Sequence, residues 1–334
     1  MNKSNQNINN FNDFCEHTEL IQKAYKSNNI YNYCQKCGII SITYENELYY
    51  TLKPKQKEKP TELDPIEIIK SMKKLQEKYY PHLNNVYHIK TDEQNVDIIN
   101  NNIQFYLTQR TFLLYYLQKA TKLLNYSDLS FYQCLIYLDF YLSHNITDEI
   151  TEPELFCLLI GFFSLSSKFK ETNIFEPKFN VYLELAEKFQ INIEQIRNFE
   201  LFCLKLTEYN FFLYSAYDWL SSFMANGYIF DCEINNKDFI KDIHDYALRL
   251  LVLVTPKYAF IKYSPMQIAL SLIQICRENR IQNLNNRLYN YLLKIYGIQF
   301  KDYENCYKEL KLIIDTKENK IIIVMMIQIM KKKK

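Results

Sequence analysis

Four soft metal ligands gather near the start of the chain: Cys15, His17, Cys34 and Cys37. Thiolate and imidazole are the donor set of a tetrahedral zinc site. Cys34-Gln-Lys-Cys37-Gly38 has the spacing at which one turn aims two thiolates at a single ion, with glycine relieving the strain after it. The other half, Cys15-Glu-His17, is more tightly spaced than the usual two to four residues. Four protein ligands leave no open position, so the chemistry would be structural rather than catalytic. Ile39 to Tyr50 then alternates in the manner of a strand or hairpin. Residues 1–53 are therefore expected to hold a polar, disordered leader and a small zinc ribbon. The alternative is three free thiols and an exposed histidine.

Elsewhere the reactive side chains are scattered. The five histidines form no pair at helical metal-binding spacing and no set with serine and aspartate. Four glycines in 334 residues exclude a Gly-rich phosphate loop and most dinucleotide sites, and favour helices. Catalysis and a small-molecule substrate are not expected. Nine cysteines behind a polar start, MNKSNQNINN, point to a reducing setting, nuclear or cytoplasmic. Cys134, Cys157, Cys203, Cys232, Cys276 and Cys306 lie singly in or near apolar patterns and read as small core residues. The late apolar run Ile321 to Met330 is too short to cross a bilayer as a helix.

The elements that must carry any function are organised around Thr151 to Glu171. Thr151, Pro153 and Glu154 open a helix as a capping box with proline in the first turn. The helix is then apolar almost all round, from Leu155 to Leu165, so other helices must wrap it. Gly161, Ser164, Ser166 and Ser167 allow close approach, and Lys168, Lys170 and Glu171 end the run in charge. Asp64-Pro65 opens an earlier helix with a thin apolar stripe, and 82–100 reads as loop. Helices follow over 104–124, 128–143, 152–169, about 178–190, and from Asn192 to Glu208. The pattern repeats over Tyr214–Ala225, Lys237–Val254, a capped helix from Ser264, and stretches near 283–296 and 302–314. The expected class is all-α, two tandem five-helix units after the candidate ribbon. Their bounds are a linker and helix over 54–100, units over 101–212 and 213–312, and a basic tail over 313–334. The first unit holds 9 Lys and Arg against 13 Asp and Glu, the second 12 against 10, which disfavours nucleic acid as a partner.

Several stretches together resemble the cyclin family. LTQRTFLLYYLQKA is similar to the first helix of a cyclin box, with Arg110 and Leu113 matching, Phe112 in place of Ile and Tyr116 in place of Trp. CLIYLDFYLS resembles the end of the second helix through Leu138, Asp139, Tyr141, Leu142 and Ser143. LSSKFKET, NFELFCLKLTEYNF and KYAFIKYSPMQIALSLI are similar to three later family segments, in order, over about 64–312. The resemblance implies two cyclin folds and a regulatory subunit of a cyclin-dependent protein kinase. Lys168 and Glu200 would hydrogen-bond the kinase's movable helix, with Phe169, Glu171 and the helix 66–80 nearby. Arg110 and Asp139 would form a buried structural pair.

Two departures bear on partners. The family's substrate-docking positions fall on Gln109, Phe112, Leu113, Tyr116 and Lys119, and lysine at the usually acidic place would repel an Arg-bearing peptide. Lys170 replaces a family Glu beside the kinase. The runner-up is similarity to B-type general transcription initiation factors, which join a zinc ribbon to two cyclin-like repeats and bridge polymerase and promoter DNA.

Overall fold

A computed structural model describes residues 20–24, 30–34, 39–44, 47–52, 65–79, 96–143, 150–171, 192–206, 213–225, 228–230, 233, 237–257, 259–281 and 287–316. The ligands Cys15, His17 and Cys37, the linker 54–60, the helix expected at 178–190, Cys232 and residues 317–334 lie outside these. Cys34 closes a strand that is described in backbone only.

Strands β1 (Leu20–Ala24), β2 (Ile30–Cys34), β3 (Ile39–Tyr44) and β4 (Glu47–Leu52) run as an antiparallel meander. The expected hairpin is β3 on β4, from Ile39 opposite Leu52 to Tyr44 opposite Glu47. A short strand β5 (Ile229–Phe230) pairs with the far edge of β4. Every other described regular element is helical: α1 (Pro65–Tyr79), α2 (Val96–Leu124), α3 (Asp128–Ser143), α4 (Glu152–Lys170), α5 (Ile193–Leu206), α6 (Ala216–Ala225), α7 (Lys237–Val254), α8 (Ala259–Lys262), α9 (Pro265–Arg280), α10 (Arg287–Tyr296) and α11 (Glu304–Ile314), with one 3₁₀ turn at Phe300–Asp302. They fall into two compact units, one of residues 74–218 with 255–265, the other of 1–73, 219–254 and 266–334.

In the first of these units α4 is the centre. Every residue from Leu155 to Ser167 is buried. The entry is fixed as its residue types require: the Glu154 carboxylate accepts hydrogen bonds from the Thr151 backbone N–H at 2.9 Å and its hydroxyl at 2.7 Å. Each large apolar side chain so buried stabilises by roughly 1.5–3 kcal/mol before chain entropy opposes it. The polar residues in the run are satisfied locally. Ser166 donates to the Phe162 carbonyl at 2.7 Å and Ser167 to that of Ser164 at 2.9 Å. Gly161 is small for a different reason. A Cβ there would stand 3.3 Å from Phe199 Cβ and 3.7 Å from the Glu200 nitrogen, so α5 crosses α4 at this point almost backbone to backbone. Asn192 and Gln195 cap α5 reciprocally, side chain to backbone N–H in both directions.

One expectation needs correction. The stretch 82–100 reads as loop, yet α2 begins at Val96 and runs 29 residues. Its asparagines have low helix propensity, but tertiary contacts outweigh that. Ile103 and Tyr106 are buried, and buried Asn102 accepts a hydrogen bond from the Ile150 backbone at 2.9 Å.

In the other unit α9 takes the place α4 has in the first, with Ile268 to Arg277 all buried. Its last buried residue carries a charge. Arg277 grips Glu233 through two nitrogens, at 2.6 and 2.9 Å, and also donates to the Tyr228 carbonyl. Both side chains are essentially dry. Of the cysteines, Cys134, Cys157, Cys203, Cys276 and Cys306 are buried thiols outside any disulfide. Burial pushes the Cys157 thiol up to about 11 and Cys276 up to about 12, so they act as small apolar residues.

Two substitutions test these packing claims. Glu233→Ala leaves the Arg277 charge buried without its carboxylate and should cost about 3–5 kcal/mol in urea denaturation. Gly161→Val should cost about 1–3 kcal/mol by overpacking against α5; wild-type stability would show that the two helices do not meet closely there.

Candidate functional site

Four side chains end α4, and the fold gives each a different role. Lys168 and Lys170 lie in the last turn, where cations complement the helix dipole. Glu171 follows as the C-cap, in extended backbone, with its own N–H donating to the Ser167 carbonyl. Its carboxylate turns back into the unit. One oxygen, Oε1, accepts from the Ser127 backbone N–H at 2.8 Å, the Ser127 hydroxyl at 2.7 Å and the Ser130 hydroxyl at 2.6 Å. That position is the N-terminus of α3, where an anion is favoured. The chain reaches it through a tight turn at Asn125, whose φ of 55° is one asparagine tolerates better than most residues. Glu171 is thus held by its own fold.

Lys170 is also turned inward. Its ammonium lies 3.2 Å from Asp218 Oδ1, with both side chains largely buried, and within 5.8 Å of the Phe169 ring centre. Asp218 is itself fixed, because its other oxygen accepts from the Ser215 N–H at 2.8 Å and the Ser215 hydroxyl at 2.6 Å. The residue that departs from the family pattern therefore braces the end of α4 against the start of α6.

Lys168 is the outward member. Its ammonium donates to both oxygens of Glu200, at 2.8 and 2.9 Å, with the lysine 45% exposed and the glutamate 14%. The close crossing at Gly161 sets this geometry, since α5 is nearest α4 at Phe199 and Glu200. Next in sequence to the pair, Phe169 is 48% exposed and Leu201 45%, while Phe202, 43% exposed, packs edge to face on Tyr141. A charged donor and acceptor thus stand at the surface, and the next residue along each helix, Phe169 and Leu201, is a large apolar side chain left exposed. A half-exposed ion pair contributes no more than about 1 kcal/mol to stability. Stability is a weak reason to build this arrangement.

Arg110 and Asp139 meet inside the same unit. The guanidinium donates to Asp139 at 2.6 and 3.3 Å, to the Thr255 carbonyl at 3.1 Å, and to the Tyr106 hydroxyl, which itself donates to Asp139 at 2.8 Å. Burial alone would lower the arginine's pKa, but Asp139 and Tyr106 outweigh it and raise it, so the charge is kept. Burial raises the Tyr106 hydroxyl far above its usual range and keeps it a neutral donor. This is a joint between α2 and α3.

The docking positions on α2 scatter in environment. Leu113 is buried, Gln109 and Tyr116 are half-buried, and Phe112 and Lys119 are exposed. Phe112 and Tyr116 meet edge to face at 4.6 Å, and both pack on buried Phe156, at 5.7 and 5.9 Å. An aromatic cluster with a lysine beside it is therefore what this face presents. Sequence reasoning did not pick out Leu201 and Phe202, Asp218, or Ser127 and Ser130. Two consecutive large apolar residues in a helix whose other face is buried signal the first pair, and Ser215-x-x-Asp218 is itself a capping pattern.

Among solved structures, a chain of the yeast RNA Pol II CTD kinase CTDK-1 complex is similar to this chain, with a TM-score of 0.50 and 11% identity over 69% of this chain and 74% of that one. A chain of the yeast TFIIK (Kin28/Ccl1/Tfb3) complex matches with a TM-score of 0.43 and 15% identity, over 67% of this chain and 92% of that one. No protein-family profile and no curated protein matches the sequence. Helix order, the buried central helices and the first of these likenesses agree: outside the strands β1 to β5, the described chain is all-α with a cyclin-like fold.

Proposed function

We propose that this chain is a cyclin-like regulatory subunit that binds a cyclin-dependent protein kinase and holds the kinase's movable helix in its active position. The observation that carries this is Lys168 beside Glu200, with the next residue along each helix, Phe169 and Leu201, exposed. The ammonium has three protons and the carboxylate several lone-pair sites, so the pair can offer a donor and an acceptor to one backbone segment of a partner. The apolar side chains supply burial, and the charges fix register. Membership of a kinase complex by a chain of similar fold supports the reading.

Regulation then follows from differential binding. A subunit that turns a kinase from mostly inactive to mostly active must bind the active form about 10⁴-fold more tightly, some 5.5 kcal/mol. Burying two large apolar side chains together with two charge-assisted hydrogen bonds is of that order, provided the contacts form only with the active conformation. In this reading the chain contributes no catalytic group. Lys170 and Glu171 act from behind, keeping the end of α4 at a fixed angle, rather than touching the kinase.

Lys168→Ala should fold with an unchanged melting temperature and lose about 2–4 kcal/mol of kinase binding. Arg110→Ala should lose about 3–5 kcal/mol of folding stability instead. Melting curves beside kinase pull-downs separate the two; equal melting losses, or full kinase binding by Lys168→Ala, would sink the assignment. The B-type transcription-factor reading is favoured by the Cys and His cluster alone. Firm, salt-sensitive retention on promoter DNA with no kinase captured would support it.

The ribbon belongs to either reading. We propose that Cys15, His17, Cys34 and Cys37 hold one structural zinc ion, on the strength of ligand type and spacing. Freshly reduced protein should carry one zinc per chain, reduced by Cys34→Ser. Metal-free reduced protein would reject the site.

A further inference from the structure

A single guanidinium holds the chain on both sides of β5. Arg277, in the last turn of α9, donates to the Tyr228 carbonyl just before the strand. It also donates to both Glu233 oxygens just after the strand, at 2.6 and 2.9 Å. Tyr228, Ile229, Glu233 and Arg277 are each no more than 3% exposed. A two-residue strand makes too few ladder bonds to hold itself extended, and chain entropy opposes fixing it. Yet Ile229 and Phe230 pair antiparallel with Tyr50 and Tyr49 of β4, which also lies against α7. All these residues belong to one compact unit, and β5 stands at the end of the sheet order β1-β2-β3-β4-β5.

We propose that Arg277 and Glu233 form a latch for the N-terminal sheet. By splinting β5 they build an acceptor strand on which β4 docks, so weakening the pair frees β4 before the surrounding helices unfold. A dry ion pair adds little net stability over apolar packing, so its value here is geometric. The planar guanidinium can hold a carboxylate through two nitrogens and still donate to a carbonyl. Both acceptors come from one short stretch, 228–233, so the pair ties that stretch to α9 rather than joining two helices. An apolar pair would fill the same volume and leave the Tyr228 carbonyl unheld. The bare edge of β4 in turn presents N–H and C=O groups that require a partner strand, and β5 supplies one. The N-terminal sheet is thereby part of this helical unit, and whatever grips the sheet is linked to the state of the Arg277 pair. The inference depends neither on the kinase reading nor on zinc.

Hydrogen exchange of the full chain, read by mass spectrometry, tests it. Glu233→Gln keeps the shape of the side chain and removes its charge. Amides of Glu47–Leu52 and of Tyr228–Phe230 should then exchange faster, by on the order of 10-fold beyond any change in α9 and α11, as a local opening does. Tyr50→Pro interrupts β4 without altering Arg277 or Glu233, and should loosen the amides of Ile229 and Phe230 reciprocally. Wild-type exchange over Glu47–Leu52 in Glu233→Gln overturns the proposal. So does an equal rise across β4, α9 and α11, which would make the pair a general support of the unit. Unchanged exchange at Ile229 and Phe230 in Tyr50→Pro would show that β4 is not docked there, and would overturn it too.

Discussion

A helix that is apolar on every side cannot face water, and α4 is such a helix over the stretch from Leu155 to Ser167. Much of the first unit follows from wrapping it. Helices α3 and α5 pack along it and α2 packs on both α3 and α4, while Ile261 brings the return segment into the same core. Wrapping on all sides demands small residues where the neighbours come nearest, and Gly161 meets α5 at that point. The crossing has a second consequence. It carries Glu200 to the place where α4 leaves the core and Lys168 enters solvent. One packing constraint therefore produces both the stability of the unit and its candidate surface.

The charged residues around this core divide by solvent exposure. Arg110 with Asp139, and in the other unit Arg277 with Glu233, are dry pairs whose hydrogen bonds are nearly all made inside the protein. Such pairs add little net stability over a well-packed apolar equivalent, but each punishes loss of one partner and so fixes how its helices or loops meet. Lys170 with Asp218 is intermediate, and Glu171 is absorbed at the start of α3. Only Lys168 with Glu200, among the charges at this end of α4, is presented outward beside uncovered apolar side chains. That contrast selects it as the place for a partner.

Much of this could be read from residue order. The capping box at Thr151, the apolar run behind it, and the helical spacing of Leu113, Leu117, Ala120 and Leu124 are local signals, and they correspond to real helix starts and buried faces. The start of α2 could not, because an asparagine-rich stretch reads as loop until the burial of Asn102 is known. Arg277 with Glu233 was hidden for a related reason: the partners are 44 residues apart and no motif links them. At the site, Lys168 and Glu200 were nameable through family pattern alone. The bond from Lys170 to Asp218 was not legible there, since nothing local to Lys170 announces Asp218. Side-chain direction at the end of a helix depends on what packs there, and spacing does not carry that information.

The most direct measurement places a photo-crosslinking phenylalanine analogue at Phe169 or Leu201 in the full chain, irradiates it in extract, and identifies the adduct by mass spectrometry. If the end of α4 and the face of α5 hold a kinase, the adduct is a protein kinase catalytic subunit, joined through peptides of its movable helix. Crosslinks to polymerase subunits or promoter DNA, or to a kinase only from sites elsewhere on the chain, would contradict that assignment.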